Sequence, residues 1–181
     1  MPRYIAFLRA INVGGHIVKM ERLRALFEEL GFAKVETFIA SGNVFFESRS
    51  TRPPALEAKI EQHLHKSLGY AVATFLRTDV ELARIAQHVA FPESELRVES
   101  NTLYAAFLPT PPDPAAQARL MEWESETDLF HIHAREIYWL VRKARGESKL
   151  TGARMEKAIG MPATVRNFNT VLRLTVKYPA G

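Results

Sequence analysis

Short apolar runs alternate with stretches of helical spacing along the first half of the chain. Tyr4 to Leu8 is an apolar run with aromatic and β-branched members that is too short for a helix, so it predicts a buried strand. From Met20 to Leu30 the apolar residues recur every three or four positions. This spacing is typical of a helix with one buried face, and Gly31 follows as its stop.

The same pattern continues to residue 90. Strands are predicted over 35–39, 44–46 and 71–76, with a tight hairpin turn between the first two. A helix follows Pro53-Pro54, with Thr51 as its expected cap, and a short helix follows Thr78, which has capping-box spacing to Glu81. The order β-α-β-β-α-β plus a helix predicts a ferredoxin-like subdomain over residues 1–90.

The second half repeats most of this order. Residues 91–101 are polar and irregular and are predicted to be a linker. A second α+β subdomain is then predicted over 102–181, in the order β-α-β-β-α with a C-terminal helix; its last predicted element before that segment is a helix over 149–159 that ends at Gly160. The final segment fits both helix and strand spacing, and Asn167 or Asn169 as an N-cap favours a helix. The predicted fold class is therefore α+β with two ferredoxin-like subdomains.

Composition excludes several classes of protein. The chain has 181 residues and no cysteine, which removes thiolate nucleophiles, disulfide scaffolds and Cys-ligated metal sites. No apolar stretch reaches the length of about 18 residues that suggests a membrane span, and the N-terminus lacks the pattern of a signal peptide. We therefore expect a cytoplasmic protein that is not attached to a membrane, either a monomer or a homodimer.

The net charge of +4 is unevenly distributed. Residues 1–90 carry +3, residues 91–134 carry −6 and residues 135–181 carry +7. A basic C-terminal quarter is suited to phosphate-rich partners, but it is equally suited to pairing with the acidic segment that precedes it.

Three donor-rich motifs are candidates for binding. A glycine loop with Gly14-Gly15 follows the first predicted strand, a basic run leads to Ser148 and Lys149, and Arg166 opens an Arg-Asn-Phe-Asn cluster. Such loops can hold an anion on backbone N–H groups, although each is also explained as an ordinary turn, a solvated loop or a helix cap. Neither a dinucleotide fingerprint nor a P-loop is present, so no cofactor is predicted.

Catalytic and metal-binding patterns are not recognised. His131 and His133 share one face of a predicted strand without a third ligand in register, and His88 is isolated in sequence, so no metal site is predicted. Paired carboxylates at a catalytic spacing are not found, which leaves open whether the protein is an enzyme.

Five motifs in order make the sequence resemble a known family. The runs RAINVGG, SGNVFF, FLRT, ESKLT and RNFNTVLRL are similar to those of the bacterial family called domain of unknown function 1697, over about Tyr4 to Leu174. The resemblance implies an α+β fold with two subdomains and a final helix, and it implies no activity. Ala10 departs from the family, which usually has glycine at this position.

These motifs lead to a predicted binding site. The motif side chains are donors without carboxylates or histidines, which suits holding an anion better than moving protons. The leading hypothesis is a phosphate-bearing small molecule or nucleotide bound in a cleft between the subdomains; the alternatives are nucleic-acid binding through the basic segment and an open sheet face, and a purely structural role for the motifs in a subdomain or dimer contact. The predicted ligand-binding residues are Arg9, Asn12, Gly14, Gly15, Ser41, Asn43, Arg77, Ser148, Lys149, Arg166, Asn167 and Asn169.

Overall fold

Two four-stranded antiparallel sheets organise the fold. The computed structural model describes residues 1–39 and 42–181. The chain divides into two compact units: unit 1 comprises Met1–Ala83 with Tyr178–Gly181, and unit 2 comprises Arg84–Lys177. This arrangement confirms the predicted α+β class with two similar halves.

Unit 1 has the predicted ferredoxin-like order of elements. Its strands lie in the order β2-β3-β1-β4, so the first strand is central and the hairpin lies to one side of it. The elements are β1 (Arg3–Leu8), α1 (Met20–Glu29), β2 (Ala33–Thr37), β3 (Asn43–Glu47), α2 (Pro53–Leu68), β4 (Thr74–Thr78) and the start of α3 (Asp79–Gln87).

Both faces of the central strand β1 are buried. Tyr4, Ala6 and Leu8 belong to a core cluster that also contains the buried residues of α1 and α2. Ile5 and Phe7 alternate with them on the opposite face and are also fully buried. This two-sided burial explains why the strand is a continuous apolar run and not an alternating one.

The capping box predicted between β4 and α3 is present. The hydroxyl of Thr78 accepts a hydrogen bond from the backbone N–H of Glu81 at 3.1 Å, and the Glu81 carboxylate accepts one from the N–H of Thr78 at 2.8 Å. Two N–H groups at the start of α3 are thereby satisfied. At α2 the expected cap is replaced: Arg52 is the N-cap residue and makes no capping hydrogen bond, so Thr51 does not have the predicted role.

Unit 2 repeats the topology of unit 1, with the strand order β6-β7-β5-β8. Its helical face is closed by a second core cluster, which contains Leu120 of the first long helix and Met155 and Ile159 of the second. The elements are α4 (Glu93–Leu96), β5 (Asn101–Phe107), α5 (Pro114–Met121), β6 (Asp128–His133), β7 (Glu136–Arg142), α6 (Gly152–Ile159), β8 (Thr164–Asn167) and α7 (Phe168–Lys177).

Strand β8 is the element that the sequence did not predict. It pairs antiparallel with β5, Thr164 opposite Phe107 and Asn167 opposite Tyr104, and it completes the fourth strand of the second unit. Four residues are too few to show a period of two, and the helical spacing that follows obscures them. The chain then continues directly as α7, which confirms a final helix.

The division between the units differs from the predicted linker. It falls inside α3, between Ala83 and Arg84, and residues 91–101 belong to unit 2. This segment is held there because the Glu95 carboxylate accepts hydrogen bonds from Arg142 and Asn101. Among the described helices, none is long and apolar enough to cross a membrane.

Candidate functional site

The loop between β1 and α1 holds four of the predicted binding residues. The chain leaves β1 with Leu8 donating its N–H to the carbonyl of Gly42 at 2.8 Å and Arg9 donating to the carbonyl of Ala73 at 2.9 Å. A side chain on Gly42 would place its Cβ 2.6 Å from Ile11 Cγ2, and the φ of Gly42 is +77°. Only glycine fits there, because the loop lies directly against the β2–β3 turn.

Side chains inside the loop fix its shape. The Asn12 side-chain oxygen accepts a hydrogen bond from the N–H of Val18 at 2.8 Å, which closes the loop on itself. The His16 ring stacks on Tyr70 with 3.9 Å between centroids, and the Tyr70 hydroxyl donates to the carbonyl of Ile11 at 3.3 Å. The loop is therefore anchored to β4's side of the sheet at two points and is ordered without a ligand.

The exposed part of this loop presents backbone donors. Gly14 and Gly15 have φ values of +66° and +84°, and both are exposed. Within the described residues, their N–H groups have no hydrogen-bond acceptor. Arg9 and Lys19 at the two ends of the loop are also exposed, so cationic side chains flank the donors.

The predicted residues of the β2–β3 turn have a different role or lie outside the structure. Asn43 is 1% exposed, and its amide donates a hydrogen bond to the carbonyl of Phe38 at 3.0 Å. That contact holds the two strands of the hairpin together across the turn. Ser41 lies outside the described residues.

Arg77 and Arg166 occupy equivalent positions in the two units. Arg77 lies opposite Ile5, two residues before Phe7, and Arg166 lies opposite Ala105, two residues before Phe107. Both arginines are buried, with 1% and 8% exposure. This repeat was not found from the sequence, where the only signal is an arginine inside a short apolar strand that leads into a helix.

Burial makes both arginines structural. Arg77 donates to the carbonyl of Leu76 at 2.8 Å, and Arg166 donates to the Thr164 hydroxyl at 2.8 Å and to the carbonyl of Val165 at 3.0 Å. Burial also lowers the pKa of Arg166 to about 10, because removal from water disfavours the charged form. These contacts favour the structural alternative for Arg166.

Ser148 and Lys149 are separated by the way their loop folds. The Ser148 hydroxyl donates to the Asp128 carboxylate at 2.7 Å, and the Trp139 ring N–H donates to the same oxygen at 2.8 Å. Ser148 thus anchors the loop to a buried carboxylate, whereas Lys149 is exposed. The helix starts later than predicted, at Gly152, because Thr151 caps it by accepting from the N–H of Arg154.

Asn167 and Asn169 lie at the β8–α7 junction. The Asn167 side chain accepts a hydrogen bond from the N–H of Asn169 at 2.9 Å, as expected for a helix cap. Both line a groove of about 590 Å³ in unit 2, together with His88, Phe91 and Phe168. Ser148 lies in another hollow, beside Tyr104 and Trp139.

Three histidines that are distant in sequence come together in unit 2. His88 Nε2 lies 2.8 Å from His131 Nε2, and the His88 ring stacks on His133 with 4.0 Å between centroids. Burial and the two neighbouring imidazoles lower the pKa of His88. His88 is therefore not isolated, although within the described residues no group of three His, Asp or Glu side chains could hold a metal ion.

The structure thus distributes the predicted residues over several places. Within unit 1, Arg9, Asn12, Gly14 and Gly15 share one loop that contacts the turn before Asn43. The remaining residues divide between the interior of the sheets and the surface of unit 2. The loop is the part of the predicted set that combines exposure with donors.

Comparison with known proteins gives a family and a fold. A family profile described as protein of unknown function (DUF1697) matches residues 1–138. The structure is similar to that of the conserved bacterial protein SP0830 from Streptococcus pneumoniae, with a TM-score of 0.75, 22% sequence identity and 96% of each chain covered. No curated protein matches the sequence. Since the family profile matches well over half of the chain, the protein belongs to the DUF1697 family.

Proposed function

We propose that the protein binds a phosphate-bearing small molecule or nucleotide through the β1–α1 loop, residues 9–19. The observation that carries the proposal is the pair of exposed N–H groups at Gly14 and Gly15 without an acceptor among the described residues. Consecutive N–H groups in turn conformations form concavities that hold anions. A phosphate oxygen is the acceptor that such donors fit best.

The charge of the loop supports the same ligand. Residues 9–19 include Arg9, His16 and Lys19 and no aspartate or glutamate. An arginine adds charge-assisted hydrogen bonds in a fork that matches a phosphate group. The loop holds no carboxylate to move a proton, so the proposal is one of binding and not of a reaction.

The nucleic-acid alternative receives no support from the sheet of unit 1. An RNA-binding sheet of this topology exposes aromatic rings on the face away from its helices. Here Phe45 and Phe75 on that face are 4% and 2% exposed, and Tyr178 stacks on Phe45 with 4.2 Å between ring centroids. Neither phenylalanine is available to stack on a base.

Calorimetric titration of the purified protein with inorganic phosphate, a nucleoside monophosphate and a sugar phosphate tests the proposal. Arg9→Gln should weaken binding by about tenfold, as expected for the loss of one charge-assisted hydrogen bond. The matched control is Lys66→Gln, which removes an exposed cation from α2 of the same unit. No binding of any of the three anions, or equal weakening by both substitutions, would overturn the proposal.

A further inference from the structure

A basic hollow with a tryptophan lies on the helical side of unit 2. It has a volume of about 400 Å³ and is formed where the end of α5 meets α6. We call it the Trp123 hollow, and its lining residues are Arg119, Glu122, Trp123, Arg154, Lys157 and Ala158. None of them belongs to a motif singled out in the sequence.

Two of its cations are held in place by protein contacts. The Arg119 Nε donates to the carbonyl of Ala158 at 2.7 Å, which orients the guanidinium while leaving its terminal nitrogens for other acceptors. The guanidinium carbon of Arg154 lies 5.8 Å from the centre of the Trp123 ring, and Arg154 also donates to the carbonyl of Lys149. Both guanidinium groups are therefore partly ordered before any ligand binds.

The positive charge of the hollow is not neutralised by the protein. Arg119, Arg154 and Lys157 face one carboxylate, Glu122, in the lining. In the described residues, none of the three cations forms an ion pair within 4.0 Å. The hollow is consequently a local concentration of positive charge.

Helix electrostatics explain two of these cations but not the third. Arg119 and Lys157 lie in the last turns of α5 and α6, where a cation interacts favourably with the helix dipole. Arg154 lies in the first turn of α6, three residues after the cap Thr151, where a cation is unfavourable. Its position at that end calls for a compensating anion.

From this arrangement we infer that the Trp123 hollow binds a phosphate monoester group. Two guanidinium groups offer forked donors to the phosphate oxygens, and Lys157 adds a point charge. The site is independent of the proposed function, since it uses other residues in the other unit. A ligand there would change the environment of Trp123, which is half-buried, more than that of Trp139, which is buried and bonded to Asp128.

Tryptophan emission of the folded protein, titrated with glycerol phosphate, tests the inference. We expect a saturable change in the wild type and in Arg9→Gln, and no change with chloride at the same ionic strength. Lys157→Gln should weaken the apparent affinity by about tenfold. Lys149→Gln, which removes an exposed cation outside the hollow, should leave the affinity unchanged.

Arg154→Gln needs a second readout because the substitution itself alters the Trp123 environment. Calorimetric titration of the Arg9→Gln and the Arg9→Gln, Arg154→Gln proteins isolates the hollow from the β1–α1 loop, and the second protein should bind about tenfold more weakly. Circular dichroism confirms that both are folded. The inference is overturned if emission does not saturate, or if Lys149→Gln weakens binding as much as Lys157→Gln.

Discussion

Ala10 has a backbone conformation that suits glycine. Its φ is +57°, in the left-handed region, at the point where the chain turns out of β1 into the loop. For a residue with a Cβ this conformation costs roughly 1–2 kcal/mol. The family usually has glycine at this position, and the structure supplies the physical reason. The strain lies beside Arg9, within the loop that we propose to bind phosphate.

Replacing Ala10 by glycine should therefore stabilise the protein. We expect Ala10→Gly to raise the free energy of unfolding by up to about 1 kcal/mol, because relief of strain is partly offset by the greater freedom of glycine in the unfolded chain. Urea denaturation measures the change. The matched control is Ala58→Gly on the exposed side of α2, which should lower the free energy of unfolding by about 1 kcal/mol. A destabilised Ala10→Gly protein would contradict the strain.

At the scale of residues, the sequence predicted chemistry better than location. It identified Arg77, Arg166 and Ser148 as hydrogen-bond donors, and all three are donors in the structure. It did not predict that the two arginines are buried, because arginine is usually exposed and a motif carries no information on which face of a strand it occupies. The Trp123 hollow was missed because its cations come from two helices.

At the scale of elements, the signals that depend on neighbouring residues were the reliable ones. The helix stop at Gly160 and the caps at Thr78 and Asp113 are present, since each requires a few consecutive residues to adopt one local geometry. Strand β8 was missed because its identity depends on pairing with β5, about sixty residues earlier in the chain. Thr51 was wrong because the chain enters α2 one residue later.

The two threonines before helices give a direct test of capping. Thr78→Ala removes the hydroxyl that accepts from the N–H of Glu81, and we expect the free energy of unfolding to fall by about 1 kcal/mol. Thr51→Ala is the matched control, because Thr51 is exposed and is not the N-cap of α2, and its effect should be within about 0.5 kcal/mol. Thermal or urea unfolding distinguishes the two. Equal effects would show that the capping bond of α3 contributes no stability.

At the scale of the whole molecule, the chain contains the same topology twice. Each unit places its first strand between the third and the fourth, and each has a buried arginine on the fourth strand at the same register. The opposite neighbour of the central phenylalanine is Asn43 in unit 1 and Glu136 in unit 2, and both are buried. The order of elements made a duplication expected, but the register, which aligns Arg77 with Arg166, requires the strand pairing.

Acid should destabilise the molecule through the three histidines of unit 2. His88 has a lowered pKa because it is desolvated and lies against His133 and His131; Tyr138 also packs on its ring. With Nε2 atoms of His88 and His131 2.8 Å apart, one nitrogen donates and the other accepts, so a proton on the accepting nitrogen breaks the contact. The unfolded chain binds this proton more tightly than the folded one. The contribution of His88 to stability is therefore complete above its unfolded pKa of about 6.5 and is lost as the pH falls through that value towards the lower folded pKa.

His88→Phe keeps an aromatic ring at the stack but removes the titration. We expect the free energy of unfolding of the wild type to decline from about pH 7 to pH 5, and that of His88→Phe to decline less steeply. His65→Gln, on the exposed side of α2, should follow the wild type. Urea unfolding at several pH values gives the slopes. If His88→Phe retains the full slope, the acid sensitivity arises at other groups; if the wild type shows no slope, the buried imidazole contact does not form, because its protonation must be linked to unfolding wherever the two states bind the proton differently.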